Sequence, residues 1–234
     1  MLSDGPEAVA RVYRAFAEDE PTKSAPPSMR DYLDCIECSD CDAVVVLTPA
    51  VEVTVMYRNA RLASAMARRQ VEVVDTRTAA AGQGLIVSAA AEAHARGASA
   101  VDIAETARDA AERTRMVAML PDLASIQRSG HVPAASLERY ADQASQLLFR
   151  VDQGFISPLG RPDPQWDSPS ALQAAWLASG GTEAERTLFF HANAADEVSH
   201  LRSFIGSEEP IVEFSPAMTV HTGIGCVGVA WTSG

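Results

Sequence analysis

The segment His221-Thr222-Gly223-Ile224-Gly225 sets an imidazole and a hydroxyl beside two glycines, just before the apolar run Cys226–Trp231. Glycines carry no Cβ, so backbone N–H groups there can come close to a bound group, and the imidazole can donate to it. The chemistry this suits is the holding of an anion. Hydroxyls elsewhere suit the same chemistry, with Ser24 in a proline-rich connection, Thr48 directly after the apolar run 43–47, and Thr54 a few residues on. Asp75 and Thr76 follow a second apolar run. Hydroxyls near a helix N-terminus, faced by a histidine, hold a carboxylate through charge-assisted hydrogen bonds and the helix dipole. Taken singly, each residue also has a structural reading. Ser24 and Thr54 serve as helix caps, Thr48 starts a turn, Asp75 and Thr76 satisfy backbone N–H groups, and the pentapeptide is a turn between strands.

Cys35, Cys38 and Cys41 recur at the three-residue spacing of metal and iron–sulfur sites, with Cys226 as a fourth donor. The remote paired cysteines of a zinc ribbon are missing, so free thiols are the favoured reading; neither a metal nor a disulfide is expected. His191 follows a predicted strand end, with Asn193 close by, and is a further site candidate. His94 and His200 fall on predicted helices as surface residues, and His131 belongs to a turn. There is no glycine-rich loop followed by Lys-Ser or Lys-Thr, no Gly-x-Ser-x-Gly elbow and no paired-histidine metal motif. A self-sufficient nucleotide hydrolase or serine esterase lacks its parts, and no cofactor is expected.

The elements that must position these residues alternate between helix and strand, an α/β pattern. Helices are expected over Pro6–Glu18, Met29–Glu37 with Ser28 as N-cap, Val53–Arg69, Ala79–Ala95 with an interruption at Gly82-Gln83-Gly84, and Val101–Arg113. Ala43–Leu47 and Val71–Asp75 read as parallel strands buried on both faces, and Met116–Leu120 as a further strand. Beyond it, Pro133–Gln146 reads as helix, and Leu147–Val151 with Gly154–Leu159 as a hairpin turning at Asp152-Gln153-Gly154. Arg161–Ser170 reads as loop, Ala171–Ala178 as helix, Arg186–His191 as strand, Ala194–Phe204 as helix and Ile211–Phe214 as strand. The expected division is a first lobe over 1–113 with a parallel sheet, and a second over 114–234 with a mixed or antiparallel sheet and helices. Nineteen Lys and Arg against 31 Asp and Glu give a net charge of -12, which disfavours nucleic acid and anionic membrane as partners. No apolar run reaches a membrane span, and Met1–Pro6 lacks the parts of a signal peptide, so no membrane insertion and a cytoplasmic location are expected.

The order of these segments resembles the DegV family of bacterial fatty-acid-binding proteins. Ser24-Ala25-Pro26-Pro27-Ser28 is similar to its Thr-Ser-Gln-Pro-Ser motif, and Asp75-Thr76 with Gly82-Gln83-Gly84 to its Asp-Ser and Gly-x-Gly motif. Ser129-Gly130-His131-Val132 resembles Gly-Gly-Arg-Ile, the turn at Asp152-Gln153-Gly154 resembles an Asp-Gly turn, and His221–Gly225 resembles His-Thr-Gly-Pro-Gly. The resemblance implies two α/β lobes enclosing one long-chain fatty acid, with the acyl chain in an apolar tunnel and the carboxylate at the lobe interface. It also implies a carrier of substrate rather than an enzyme, with a separate fatty acid kinase subunit as partner. Carried over by position, Ser24 stands for the threonine that bonds the carboxylate and His221 for the histidine beside it, with Thr222 and Gly223 in the same motif. Thr48 and Thr54 stand for the serines of Ser-Ser-x-Leu-Ser-Gly-Thr-Tyr. The chain departs from the family where glycine becomes Val55, where arginine becomes His131, and where the arginine after the hairpin falls near Asp163. The family's opening strand, ending Thr-Asp-Ser, has no counterpart before Asp4-Gly5, and a misassigned start is the expected reason. These departures support a second reading, a structural or regulatory paralogue that no longer binds lipid.

Overall fold

A computed structural model of the chain describes residues 6–18, 20–121, 123, 137–140, 146–163 and 165–234. Strands β1 (Ala43–Thr48) and β2 (Gln70–Asp75) pair in parallel, from Ala43 opposite Gln70 to Thr48 opposite Asp75. Helix α1 (Pro6–Ala17) and helix α2 (Met29–Cys38) precede them, and α3 (Met56–Met66) connects them. Ser28 caps α2 in a reciprocal box with Asp31, as its place in the sequence predicts. Helices α4 (Ala80–Ala95) and α5 (Ala100–Arg113) follow, and α5 packs on both strands.

The second sheet has six strands: β3 (Thr114–Leu120), β4 (Leu147–Asp152), β5 (Phe155–Gly160), β6 (Ala184–His191), β7 (Ile211–Glu213) and β8 (Val227–Ser233). Their order is β5-β4-β3-β8-β6-β7, antiparallel throughout except for the parallel pair β6 and β7. Helices α6 (Ser168–Ala178), α7 (Ala195–Ile205) and α8 (Pro216–Thr222) complete the described elements. Side chains alternate across the sheet. Met116, Ala118 and Leu120 join Ala81 and Leu85 of α4 in one core, whereas Val117 and Met119 join Leu172 of α6 and Val198 of α7 in another. Among the described residues no helix is long and apolar enough to cross a membrane.

Helix α4 links the two sheets. Its buried residues face both ways, while Val87, Ser88, Ala91 and Glu92 form an exposed side. Ala81 and Leu85 meet the six-stranded sheet, while Ile86, Ala90 and Ala93 meet Val74 and α5. The expected interruption at Gly82-Gln83-Gly84 does not occur, because these glycines serve close packing rather than a break. A Cβ at Gly82 would overlap the Thr78 hydroxyl, and one at Gly84 would come to 3.1 Å from Leu188 of β6.

Other expectations are corrected by the same kind of local physics. β1 is only half-buried over residues 43–47, since among the described residues it pairs with β2 alone, and two strands are too narrow to shield both faces. α3 starts at Met56 rather than Val53, and α6 starts at Ser168 rather than Ala171, because Asp167 caps it by accepting from the Ser170 N–H at 2.9 Å. The hairpin forms as read: Gln153 and Gly154 both take positive φ, 51° and 87°, the geometry of a two-residue turn that follows strand twist. Of Pro133–Gln146, only residues 137–140 and 146 are described, and Glu138–Tyr140 forms a 3-10 turn. The rest, with His131 and its motif, lies outside the described residues.

Candidate functional site

His221 lies in the last turn of a helix, not in a turn between strands. Ser215-Pro216 builds α8: Ser215 accepts from the Met218 N–H at 3.4 Å, and Pro216 fills the first turn where its missing N–H costs nothing. Just before it, Phe214 stacks on Phe190 of β6 with ring centroids 4.9 Å apart and planes 14° from parallel. Thr219 and Pro216 are buried beneath the helix. The helix is thus anchored to the second sheet before it presents its histidine.

The glycines then turn the chain from α8 into β8. Gly223 and Gly225 take φ of 79° and 93°, conformations that favour glycine. Their amides are engaged: the Gly223 N–H donates to Thr219 at 2.9 Å and the Gly225 N–H to Ala192 at 2.7 Å. The Thr222 hydroxyl donates to the Met218 carbonyl at 3.1 Å. Polar side chains, rather than these two amides, are therefore the groups that can meet an anion here.

Ser24 comes to that histidine from 197 residues away, with its Oγ 2.7 Å from His221 Nε2. Two attachments place it. Asn59 of α3 donates to the Pro27 carbonyl at 2.8 Å, fixing the proline-rich connection to the first sheet's helices. On the other side α1 packs on α8, and the Tyr13 hydroxyl donates to Glu213 Oε1 at 2.7 Å. Burial, then Glu213, raises the Tyr13 pKa well above the ordinary phenol value. Sequence spacing gave no sign of Tyr13, Asn59 or Glu213 as partners, since their contacts span long stretches of chain.

His221 is half-buried, and burial lowers its pKa below the ordinary 6.5. The imidazole is thus neutral near pH 7, and its tautomer sets whether it donates to Ser24 or accepts from it. Cys226, buried beside this turn, has its thiol pushed up to about 12 by burial, which keeps it protonated and unreactive. Apolar ground begins next to the site. Met218 packs on a cluster that includes Phe214, Phe190 and Cys226 and runs on through Ala230, Ala118 and Phe149.

The threonines of the first sheet are not brought into hydrogen bonds with His221 or Ser24. Thr48 is fully buried, and its hydroxyl faces the Val74 carbonyl at 3.4 Å while its own carbonyl accepts from the Thr76 hydroxyl at 2.8 Å. Thr54 accepts from the Met56 N–H at 3.4 Å, and Asp75 accepts from the Arg77 N–H at 2.9 Å. His191 is buried, accepts from the Ala194 N–H at Nδ1 and has a lowered pKa through burial, opposed by Glu213 and Glu197. Cys35, Cys38 and Cys41 are exposed free thiols, and among the described residues no group of three or more His, Cys, Asp or Glu is placed to hold a metal. Two clefts of about 300 and 310 Å³ open elsewhere, one between α3, β2 and α5, the other beside β4, β5 and α6; neither is lined by Ser24 or His221.

The chain can be placed among known proteins on this geometry. The family model described as uncharacterised protein, DegV family, matches residues 2–234. DegV domain-containing protein Mb2440c of Mycobacterium bovis is 26% identical over 204 residues, covering 85% of this chain and 73% of the relative. The fold is similar to a DegV lipid binding protein of Thermotoga maritima, with a TM-score of 0.84 and 19% identity over 98% of this chain and 84% of that one. A DegV family protein of Thermus thermophilus, described by its fatty acid binding, gives a TM-score of 0.84 at 20% identity, covering 96% of this chain and 84% of its own. DegV of Bacillus subtilis, described as a fatty acid binding protein, gives 0.78 at 20% identity, covering 95% and 83%. With helices and sheets in the same arrangement and a sequence match along nearly its whole length, the chain belongs to the DegV family.

Proposed function

We propose that this protein binds one long-chain fatty acid, with the carboxylate held by Ser24 and His221 and the acyl chain laid on the apolar face of the six-stranded sheet. The observation that carries the reading is the 2.7 Å approach of Ser24 Oγ to His221 Nε2 at the edge of a continuous apolar cluster. A hydroxyl and an imidazole at hydrogen-bond distance can both turn to one carboxylate, and apolar ground beside them suits the rest of the ligand. The fatty-acid-binding proteins of Thermus thermophilus and Bacillus subtilis with this fold support the same reading. Thr48, Thr54, Thr222 and Gly223 shape the ground around the two donors in this account; their hydroxyls and amides bond backbone groups and reach the ligand only by exchanging those partners.

The protein is a carrier in this reading, not a catalyst. Its carboxylate is presented to a separate fatty acid kinase subunit, the partner that family resemblance implies. Native mass spectrometry of the chain incubated with oleate tests the binding step. A complex of one oleate per chain is expected, and a chain that stays empty at saturating oleate defeats the proposal, favouring the paralogue that has lost its ligand.

A further inference from the structure

The cleft at the carboxyl end of β2 lies apart from Ser24 and His221. It measures about 300 Å³ and is lined by Tyr57 and Arg61 of α3, Asp75 and Arg77 at the strand end, and Arg108 and Glu112 of α5. Three guanidinium groups meet here in a chain whose 19 Lys and Arg are outnumbered by 31 Asp and Glu. Most of these charges do not pair with one another. Arg108 approaches Glu72 at 3.7 Å, but among the described residues the side chains of Arg61 and Arg77 make no hydrogen bond or ion pair, and Asp75 and Glu112 make no ion pair. A solvated face would bring opposite charges together or spread them apart. Here all but Arg108 share one concave site without an ion pair, a pattern matched by a ligand that carries an anion and hydrogen-bond donors together. The turn is specific too: Asp75 Oδ1 accepts from the Arg77 N–H at 2.9 Å, and Arg77 holds a φ of 52°.

We propose that this cleft binds a small phosphomonoester that also bears hydroxyl groups. Arg61 and Arg77 take the phosphate, for which the planar guanidinium is suited through paired N–H donors. Asp75 and Glu112 accept from the ligand's hydroxyls, and Tyr57 walls the site. The position agrees with the tendency of parallel α/β strands to place ligands beyond their carboxyl ends. The proposal does not depend on the fatty acid site.

Isothermal titration of the whole chain tests it with ribose 5-phosphate, inorganic phosphate, free ribose, and phosphatidylcholine vesicles containing phosphatidic acid. Saturable binding of ribose 5-phosphate is expected, with none for ribose. Arg61→Gln combined with Arg77→Gln should weaken it by roughly tenfold or more, the effect of losing charge-assisted bonds. Glu112→Gln, at an exposed residue, should instead tighten inorganic phosphate by removing a like charge. Binding confined to the vesicles, whose phosphatidic acid offers a phosphomonoester without hydroxyl groups, overturns the proposal of a small hydroxylated ligand. No saturable binding of any phosphate probe, or binding unchanged in the arginine variant while the chain still melts cooperatively, overturns the proposal.

Discussion

Gly228→Ala puts one methyl group where the second sheet has no room for it. Gly228 sits in the central strand β8, opposite Ala118 of β3 and Phe190 of β6. An added Cβ would overlap the tip of the Phe190 ring, lie 2.8 Å from its Cε2, and come to 2.5 Å of the Val117 carbonyl oxygen. The ring could swing away, but the carbonyl belongs to a strand hydrogen-bonded on both sides, so the backbone must move as well. Overpacking of this kind costs about 1–3 kcal/mol. Displacing Phe190 also loosens its stack on Phe214, a further loss of roughly 0.5–1.5 kcal/mol. A total of about 1.5–4.5 kcal/mol corresponds to a fall in Tm of roughly 3–18 °C for a chain of this size. Thermal melts followed by circular dichroism read it directly. Phe190→Leu added to Gly228→Ala should recover part of the loss, since it removes the ring but not the carbonyl. A single variant melting within about 1 °C of wild type would refute the packing argument.

Tyr13→Phe removes the bond to Glu213 that ties α1 to the second sheet; since Glu213 is exposed and can return to water, urea unfolding should show a loss of only about 1 kcal/mol, and a loss above about 3 kcal/mol would mean α1 is held otherwise than described. Acidification should destabilise the protein through His191 and His221. Both pKa values are lowered in the fold, so between those values and the ordinary 6.5 the unfolded chain binds more protons, and stability present above pH 6.5 is lost as pH falls through that window. His221→Gln should flatten part of that slope in urea midpoints measured across it, and an unaltered slope would show that burial of His221 costs its charged form nothing.

The sequence carried most of the alternation of elements, because apolar runs such as 43–47 and turn chemistry such as Asp152-Gln153-Gly154 are local signals. What it hid was set by tertiary contact. Gly82 and Gly84 look like a helix break in sequence, yet serve the approach of α4 to Thr78 and Leu188. The helix carrying His221 was marked by Ser215-Pro216 but is only seven residues long, so its apolar period was too brief to read. At the candidate site, Ser24 and His221 were legible as residue types in motifs that resemble the family's, and the structure brings them within 2.7 Å of each other. Tyr13, Asn59 and Glu213 were not, since nothing local distinguishes a tyrosine that will meet a carboxylate 200 residues later. Thr48 shows the reverse case, a candidate by position whose hydroxyl is buried against the backbone of β2.

Recognition of a carboxylate by Ser24 and His221 is the central step of the proposed function. Its most direct measurement is the equilibrium affinity of the wild-type chain and of His221→Ala for oleate and for methyl oleate, which share an acyl chain but not the charge. Wild type should prefer the acid, and His221→Ala should lose about 1.5–3 kcal/mol for oleate, roughly 10- to 150-fold, while leaving the ester nearly unchanged. Equal binding of acid and ester by wild type, or an oleate affinity that His221→Ala leaves intact, would contradict it.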